Sequence, residues 1–324
     1  MVLLDFSRAY DRVWKDGLYT KLRKEEVPVC AIRWIRGFLS DRRARVKWNT
    51  TKSRERVFRE GLPQGSVLAP LLWLCYVNDL PKRVEQVAPR VDCNLFADDT
   101  SVCATSPSIE QCGTQLQPAL SAIEDWCKKW KVELSAGKSH ITTFTLDPKE
   151  SLGKKVPTLR IGGEELAYEK NPTFLGVVLD GQLTFTKHAE TVAKRMTHRR
   201  NGLRALSNRT TGANQRALKG AYVATVRAAG DYASGVWASF ASGSAKGKVE
   251  AQQNICARLV TGCVRATKKE ALLAVADIPP FSNVAAERCV NLANKIKRLP
   301  PDTPSRIVLE QKSIPRLKNR QQKF

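Results

Sequence analysis

Hydrophobic and polar positions change period several times along the chain, and each change predicts an element. The opening MVLLDF is an apolar run that closes on a carboxylate, the pattern of a buried strand. Ala9 to Arg23 then carries Trp14, Leu18 and Leu22 at four-residue spacing, which sets them on one face of a helix. A second helix is predicted over Cys30 to Leu39. Asp41 to Phe58 is basic and partly alternating, as in a solvent-exposed hairpin, and it runs into the turn signal Gly61-Leu-Pro-Gln-Gly65. Ser66 is placed to cap an apolar helix through Leu80. Pro70 is tolerable early in that helix, where N–H groups have no intrahelical partner.

Cys93 to Ala104 is apolar on both sides of Asp98-Asp99 and predicts a hairpin turning at the carboxylates. Leu116, Leu120, Ile123, Cys127 and Trp130 recur at three- and four-residue spacing, an amphipathic helix that Gly137 is expected to end. Ser139 to Leu146 alternates like a strand, and Gly162, Gly163 and Gly181 punctuate further short strands around Phe174 to Leu179. After Thr184 the pattern is helical, so a domain boundary is expected there. The stretch from Pro300 reads as a frayed or linker-like tail. The fold class is therefore α+β, an antiparallel sheet backed by helices over 1–184 followed by helices over 185–299.

Composition narrows the function. A chain of 324 residues with 42% hydrophobic content can bury real cores. Its 54 Lys+Arg against 31 Asp+Glu leave +23, an excess that solubility does not require and that points to a polyanionic partner. The nine cysteines form no CxxC pair and the three histidines do not stand at finger spacing from them. They read as core residues or free thiols in a reducing compartment, hence an intracellular protein, nuclear or cytoplasmic. The apolar run Val67 to Val77 is too short to span a bilayer and the N-terminus has no signal-peptide pattern, so membrane insertion and secretion are disfavoured.

Three carboxylates stand out. Asp5 follows Val2-Leu3-Leu4, and Asp98 and Asp99 follow Leu95-Phe96-Ala97, so all three are expected inside apolar strands where an unpaired charge is costly and a cation is needed. If the two segments are neighbours, Asp5 and Asp98 converge on a pair of divalent metals, Mg²⁺ by preference for carboxylate oxygens, with Mn²⁺ as a substitute. Alternation along a strand keeps Asp98 and Asp99 from pointing the same way without help from the turn, so Asp98 is ranked first as bridging ligand and Asp99 second. An Asp-Asp pair taken alone is more commonly an ordinary turn.

Leu4-Asp-Phe-Ser-Arg-Ala-Tyr-Asp11, Gly61-Leu-Pro-Gln-Gly-Ser-Val-Leu-Ala-Pro-Leu-Leu72 and Phe96-Ala-Asp-Asp-Thr100 resemble, in order and spacing, palm motifs A, B and C of reverse transcriptases. The long second block and FADD resemble the non-LTR (LINE-type) retrotransposon branch, near the jockey and ingi groups. The resemblance implies a polymerase palm over 1–184, thumb-like helices over 185–230, a helical connection over 231–299 and a tail over 300–324. It makes Asp5, Asp98 and Asp99 the metal-binding triad, and Tyr10 the ring that excludes a ribose 2′-hydroxyl. Phe6, Gln64 and Gly65 become contacts to the nucleotide, glycine permitting close backbone approach. Leu134-Ser-Ala-Gly-Lys138-Ser resembles motif D, whose lysine protonates the leaving pyrophosphate, and Phe174-Leu-Gly-Val177 resembles motif E, which sets Gly176 on the primer.

From Thr191 to Gly230 there are nine basic residues and no acidic one, which suits a phosphate backbone. Lys194, Arg195, Arg199, Arg200, Arg204 and Arg209 are the expected contacts, in the place of the thumb. The implied partners are an RNA template, a DNA primer and a deoxynucleoside triphosphate. Since motif A stands at the very start, the fingers that precede it in the family are expected to be missing, and activity of this chain alone is left open. The alternatives are a non-catalytic nucleic-acid-binding remnant and an intron-encoded maturase, which shares the palm but whose own segment is not apparent after the thumb.

Overall fold

A computed structural model describes residues 1–145, 156–208 and 212–310. The chain forms two compact units, Met1–Leu175 and Gly176–Phe324. The expected boundary at Thr184 falls later because Val177 is already buried with Phe185 and Ala189 in the second core.

In the first unit the elements run β1 (Val2–Asp5), a 3₁₀ turn (Ala9–Arg12), α1 (Lys15–Lys24), α2 (Val29–Leu39), β2 (Arg42–Ala44), β3 (Lys47–Trp48), β4 (Thr51–Lys52) and β5 (Arg56–Phe58). They continue through α3 (Leu68–Val77), α4 (Leu80–Val87), β6 (Val91–Phe96), β7 (Asp99–Ala104), α5 (Ile109–Trp130), β8 (His140–Ile141), β9 (Arg160–Ile161), β10 (Glu164–Glu165), β11 (Ala167–Tyr168) and β12 (Thr173–Phe174). Five strands make one sheet in the order β11-β8-β1-β7-β6, so the apolar opening strand lies in its centre. Every neighbouring pair is antiparallel except β8 and β11.

The sheet buries Val2, Leu4 and Val102 against apolar side chains of α3, α4 and α5, among them Trp73, Tyr76, Leu80, Leu116 and Ile123. All five positions that the periodicity of α5 singled out are at most 5% exposed. The helix starts where Ser108 Oγ accepts the Gln111 N–H at 3.2 Å. It ends at Lys131, not Gly137. Lys131 takes a left-handed conformation (φ 55°) and its ammonium lies 4.2 Å from the centre of the Trp14 ring. Ser66 Oγ accepts the Ala69 N–H at 3.1 Å, but the N-cap position falls one residue later, on Val67, and α3 stops at Val77 before the chain re-enters a helix as α4. The strand expected over Ser139 to Leu146 shrinks to His140–Ile141; Ser139 belongs to the preceding turn, its N–H donating to the Ser135 carbonyl at 2.9 Å, and Leu146 lies outside the described residues.

The second unit holds β13 (Val177–Val178), α6 (Thr186–Leu206), α7 (Gln215–Ala221), a π-helical turn (Tyr222–Arg227), α8 (Ala228–Asp231), α9 (Ser234–Trp237), α10 (Gly243–Thr261), α11 (Lys269–Ala276), α12 (Phe281–Lys297) and α13 (Pro304–Glu310). Its core closes around Met196, Tyr222, Trp237 and Phe281, as the helical pattern after Thr184 led one to expect. The stretch from Pro300 is not all tail. Residues 304–310 are helical, with Arg306 Nε 2.7 Å from Glu310 Oε1 one turn on, while 311–324 lie outside the described residues. Among the described residues no helix is long and apolar enough to cross a membrane.

Candidate active site

The hairpin of β6 and β7 turns on two residues, Ala97 and Asp98, between the paired Phe96 and Asp99. Ala97 has φ 53°, a positive value that a two-residue hairpin turn demands and that glycine usually supplies. On the other side of β7, antiparallel pairing sets Asp5 directly opposite Asp99. Residues opposed in this way project to the same face, so two of the three expected carboxylates share one end of the sheet, with the third at the turn beside them. Asp98 is therefore not the direct cross-strand neighbour of Asp5; Asp99 is.

The carboxylates are not buried as the sequence suggested. Asp5 has 41% of its side chain exposed, and Asp98 and Asp99 are exposed, because all three sit where the strands end and the sheet opens to solvent. The Asp99 carboxyl is pushed above the usual range by partial burial first, then by the charges of Asp98 and Asp5. The Tyr10 phenol is likewise raised, by burial and by Asp98, which places that ring within reach of the same field.

One side chain ties the blocks together. Trp73, on α3, is fully buried and donates from Nε1 to the carbonyl of Ala97 at 2.6 Å, so the helix of the second block holds the carboxylate turn of the third. Its ring also meets Phe6 edge-on at 5.8 Å and Tyr10 at 5.6 Å, both from the first block. The loop before α3 is hydrogen-bonded to the 3₁₀ turn, Gly61 N to Val13 O at 2.9 Å and Leu62 N to Tyr10 O at 2.7 Å. Gly61 is required there. It has φ 79°, and a Cβ would fall 2.5 Å from the Asp11 carbonyl oxygen.

Gln64 is exposed and donates to Asp11 Oδ1 at 3.2 Å. Gly65 has φ 86° with open space around it, so backbone conformation and not close packing within the chain calls for glycine. Phe6 is 3% exposed, its ring committed to the core. The residue as a whole, bridged to Leu134, has almost no surface to offer a ligand, against the expected nucleotide contact. The sequence reading missed Trp73 and took Gly61 only as part of a turn signal; a tryptophan in an apolar helix looks like ordinary core until the partner of its N–H is known.

The fourth block closes the side of the site. Ser139 Oγ accepts the Asp5 N–H at 3.2 Å, and the Asp5 carbonyl accepts the Ser135 N–H at 2.9 Å. This fastening brings Lys138 Nζ to 3.8 Å from Asp5 Oδ2 while leaving 76% of the lysine side chain exposed. Asp5, Asp99, Lys138, His140 and Phe174 line a shallow cavity of about 110 Å³. Among the described residues no three carboxylate, imidazole or thiol groups form a ready-made metal cage. The donor set nonetheless fits a hard divalent cation. Mg²⁺ is bound by one or two carboxylates and completes its shell with waters and substrate phosphates, and the repulsion on Asp99 is what such a charge would relieve.

In the second unit, Lys194, Arg195, Arg199 and Arg204 are exposed on α6. At about 100° per residue, Arg195 and Arg199 flank one side of its buried stripe, Arg200 and Arg204 the other, and Lys194 faces away from it. They do not form a single row. Arg199 donates to the Thr225 carbonyl at 2.8 Å, and Arg200 is half-buried and donates to Gln252 Oε1 at 2.7 Å, so these two already serve their own unit. Arg209 lies outside the described residues. Gly176 has φ 76°, and a Cβ there would come within 3.1 Å of the Tyr232 ring.

Residues 1–179 match the model of the reverse transcriptase (RNA-dependent DNA polymerase) family. The chain is 32% identical over 265 residues to a probable RNA-directed DNA polymerase from transposon BS of Drosophila melanogaster, covering 81% of this chain and 29% of that protein. It is 28% identical over 272 residues to the corresponding protein of transposon X-element from the same fly, covering 81% and 28%. Over 188 residues it is 34% identical to the RNA-directed DNA polymerase from mobile element jockey of Drosophila funebris, covering 57% and 20%. The chain thus spans less than a third of the length of these curated relatives.

Proposed function

This chain belongs to the reverse transcriptase family, in its non-LTR (LINE-type) branch, and from that premise we propose that it carries RNA-directed DNA polymerase chemistry for such an element. The reaction is attack of a DNA primer 3′-hydroxyl on a deoxynucleoside triphosphate, directed by an RNA template. The observation that carries it is the register that opposes Asp5 and Asp99, with Asp98 at the adjoining turn and Lys138 at 3.8 Å from Asp5.

In this reading Asp5, Asp98 and Asp99 hold divalent cations, Mg²⁺ or Mn²⁺. When bound, these supply Lewis-acid charge at the primer oxygen and the triphosphate. The chain's own residues do the rest. Lys138, exposed beside Asp5, meets the charge that develops on the leaving pyrophosphate and gives it a proton. Tyr10, held against Trp73, offers rigid bulk beneath the sugar of the incoming nucleotide. Gln64 and Gly65 face its base and phosphates, and Phe6 serves only by packing beneath Trp73. Cross-linking of the blocks through Trp73, Gly61 and Ser139 keeps these groups in place before substrate arrives, and positioning is a large share of phosphoryl transfer.

The first unit acts as palm. In the second, Gly176 serves the primer contact, and Lys194, Arg195 and Arg204 grip the template–primer backbone without sequence preference. Arg199 and Arg200 contribute less, since their guanidinium groups have partners within the unit.

Primer extension on poly(rA)·oligo(dT) with Mg²⁺ or Mn²⁺ tests the reading. Extension by the chain, lost in Asp98→Ala and Asp99→Ala with binding of the duplex retained, is the expected result. Duplex binding with no extension sensitive to these substitutions makes the chain a binding remnant and refutes the catalytic assignment.

A further inference from the structure

The base of the hairpin β2–β5 touches the site, Arg42 donating to the Gly61 carbonyl at 2.6 Å, but the rest of it has no role there, and its chemistry is one-sided. Glu55 is engaged by Arg43 at 3.3 Å and Arg45 at 2.9 Å, and Asp41 by Arg43 at 3.2 Å. Lys47, Lys52, Arg54 and Arg56 have no ion-pair partner among the described residues. Lys47 and Lys52 moreover face each other as a cross-strand pair. Like charges directly opposed on two strands destabilise a ribbon, so the pair persists at a cost that a bound anion would remove. The adjacent pair, Trp48 and Thr51, projects to the opposite face, and between them the chain turns through Asn49 at φ 52°. Trp48 is 78% exposed and Val46, two residues before it, 71%. An indole left this open at the tip of a basic arm contributes nothing to the core. It does offer a flat surface on which a base can stack.

We propose that this hairpin is a binding arm for single-stranded nucleic acid, with a base stacked on Trp48 on one face and the strand passing around the tip so that its phosphates reach Lys47, Lys52 and Arg54 on the other. The arm needs no metal and no turnover, so the inference stands apart from the polymerase reading. An anionic lipid surface would also attract lysines and an indole. The arm favours a nucleic acid, because its exposed apolar side chains near the tip are only Val46 and Trp48, too few to insert, while its unpaired cations run along its length.

The test uses the whole chain and fluorescence anisotropy with a labelled 20-nucleotide oligo(U) and an abasic oligomer of equal length. Trp48→Ala is expected to weaken oligo(U) binding by roughly 5- to 150-fold, the worth of one stacked base, and to leave the abasic oligomer unaffected. Trp48→Phe should restore most of the loss. Lys47→Gln with Lys52→Gln should flatten the salt dependence, lowering the slope of log affinity against log salt by about 1.4 for two phosphate contacts on a single strand. All these positions are exposed, so folding is not at risk, and circular dichroism checks it. Equal loss on both oligomers in Trp48→Ala, no loss at all, or a defect confined to phosphatidylserine vesicles would overturn the proposal. Asp98→Ala should bind oligo(U) normally, which separates failure of the arm from failure of the catalytic site.

Discussion

Replacing Trp73 by phenylalanine tests whether the second block positions the carboxylate turn or merely fills the core. The substitution keeps an aromatic ring against Phe6 and Tyr10 but removes the Nε1 donor that holds the Ala97 carbonyl at 2.6 Å. Loss of that bond, with the acceptor left beside a buried helix, costs roughly 1–3 kcal/mol, and the smaller ring leaves a void worth about 1 kcal/mol more. Urea denaturation should therefore show a loss of roughly 2–4 kcal/mol in the first unit. The rate should fall further than stability alone explains. The turn carries Asp98 and adjoins Asp99, and a misplacement of about 1 Å is enough to lower a rate by roughly 100-fold. Trp126→Phe is the control. It loses a comparable bond, Nε1 to Asp79 Oδ1 at 2.9 Å, at a place that does not touch the turn. Primer-extension kcat at a temperature where both variants are folded decides the matter. A drop of 10- to 100-fold for Trp73→Phe, with Trp126→Phe near wild type, is expected on the order given by positioning effects. If Trp73→Phe loses stability yet keeps its kcat, the tryptophan is only core.

Lys138→Met should lower kcat by about 100-fold or more while leaving primer–template affinity unchanged, as expected of a general acid. Lys138→Arg retains the charge but is a far weaker acid, so the fraction it rescues, read from single-turnover extension, separates electrostatic help from proton transfer. In the second unit His188 is fully buried, and its Nδ1 accepts the Val178 N–H at 3.1 Å. Burial, and then the charge of Arg195, push its pKa from 6.5 down to about 4. The unfolded chain takes up a proton below about 6.5 that the folded one refuses until about 4, so stability falls as pH drops through that window, by about 3 kcal/mol in all. Urea midpoints followed by the fluorescence of Trp237, whose ring lies 5.0 Å from that of His188, should show this loss, and His188→Gln should abolish it. An unchanged pH profile in the variant would rule out this histidine as the cause.

Much of the first unit was legible because its signals were local. The strand at Val2–Asp5, the hairpin around Asp98 and the buried face of α5 each follow from periodicity that the tertiary structure had no reason to override. What failed was set by partners distant in sequence. Gly137 looked like the end of α5, but the helix stops at Lys131, whose unfavourable φ is accompanied by a cation–π contact to Trp14. Ser139 to Leu146 alternated like a strand, but Ser139 is held in the preceding turn by the Ser135 carbonyl and only His140 and Ile141 pair. The basic run of the second unit suggested one phosphate-tracking face. Helical geometry divides it between two flanks, and Arg199 and Arg200 turn inward to carbonyl oxygens that the linear sequence cannot reveal.

The exposure of the carboxylates changes the argument for a cation without weakening it. A buried anion needs a counter-charge because it has lost water; Asp5, Asp98 and Asp99 have kept much of theirs. Their difficulty is one another. Register opposes Asp5 to Asp99, a two-residue turn sets Asp98 next to both, and Asp99, partly buried first of all and then crowded by these charges, holds its proton more tightly. Lys138 relieves little of this, at 3.8 Å and largely in solvent. In a chain with 23 more positive than negative charges, evolution has had abundant lysine and arginine with which to neutralise this corner, and among the described residues only one lies within ion-pair reach. The site is thus left with negative charge to spare and with open coordination positions. That combination suits a cation which must also bind the phosphates of a substrate, because a cluster fully satisfied by the protein's own cations would have nothing left to offer.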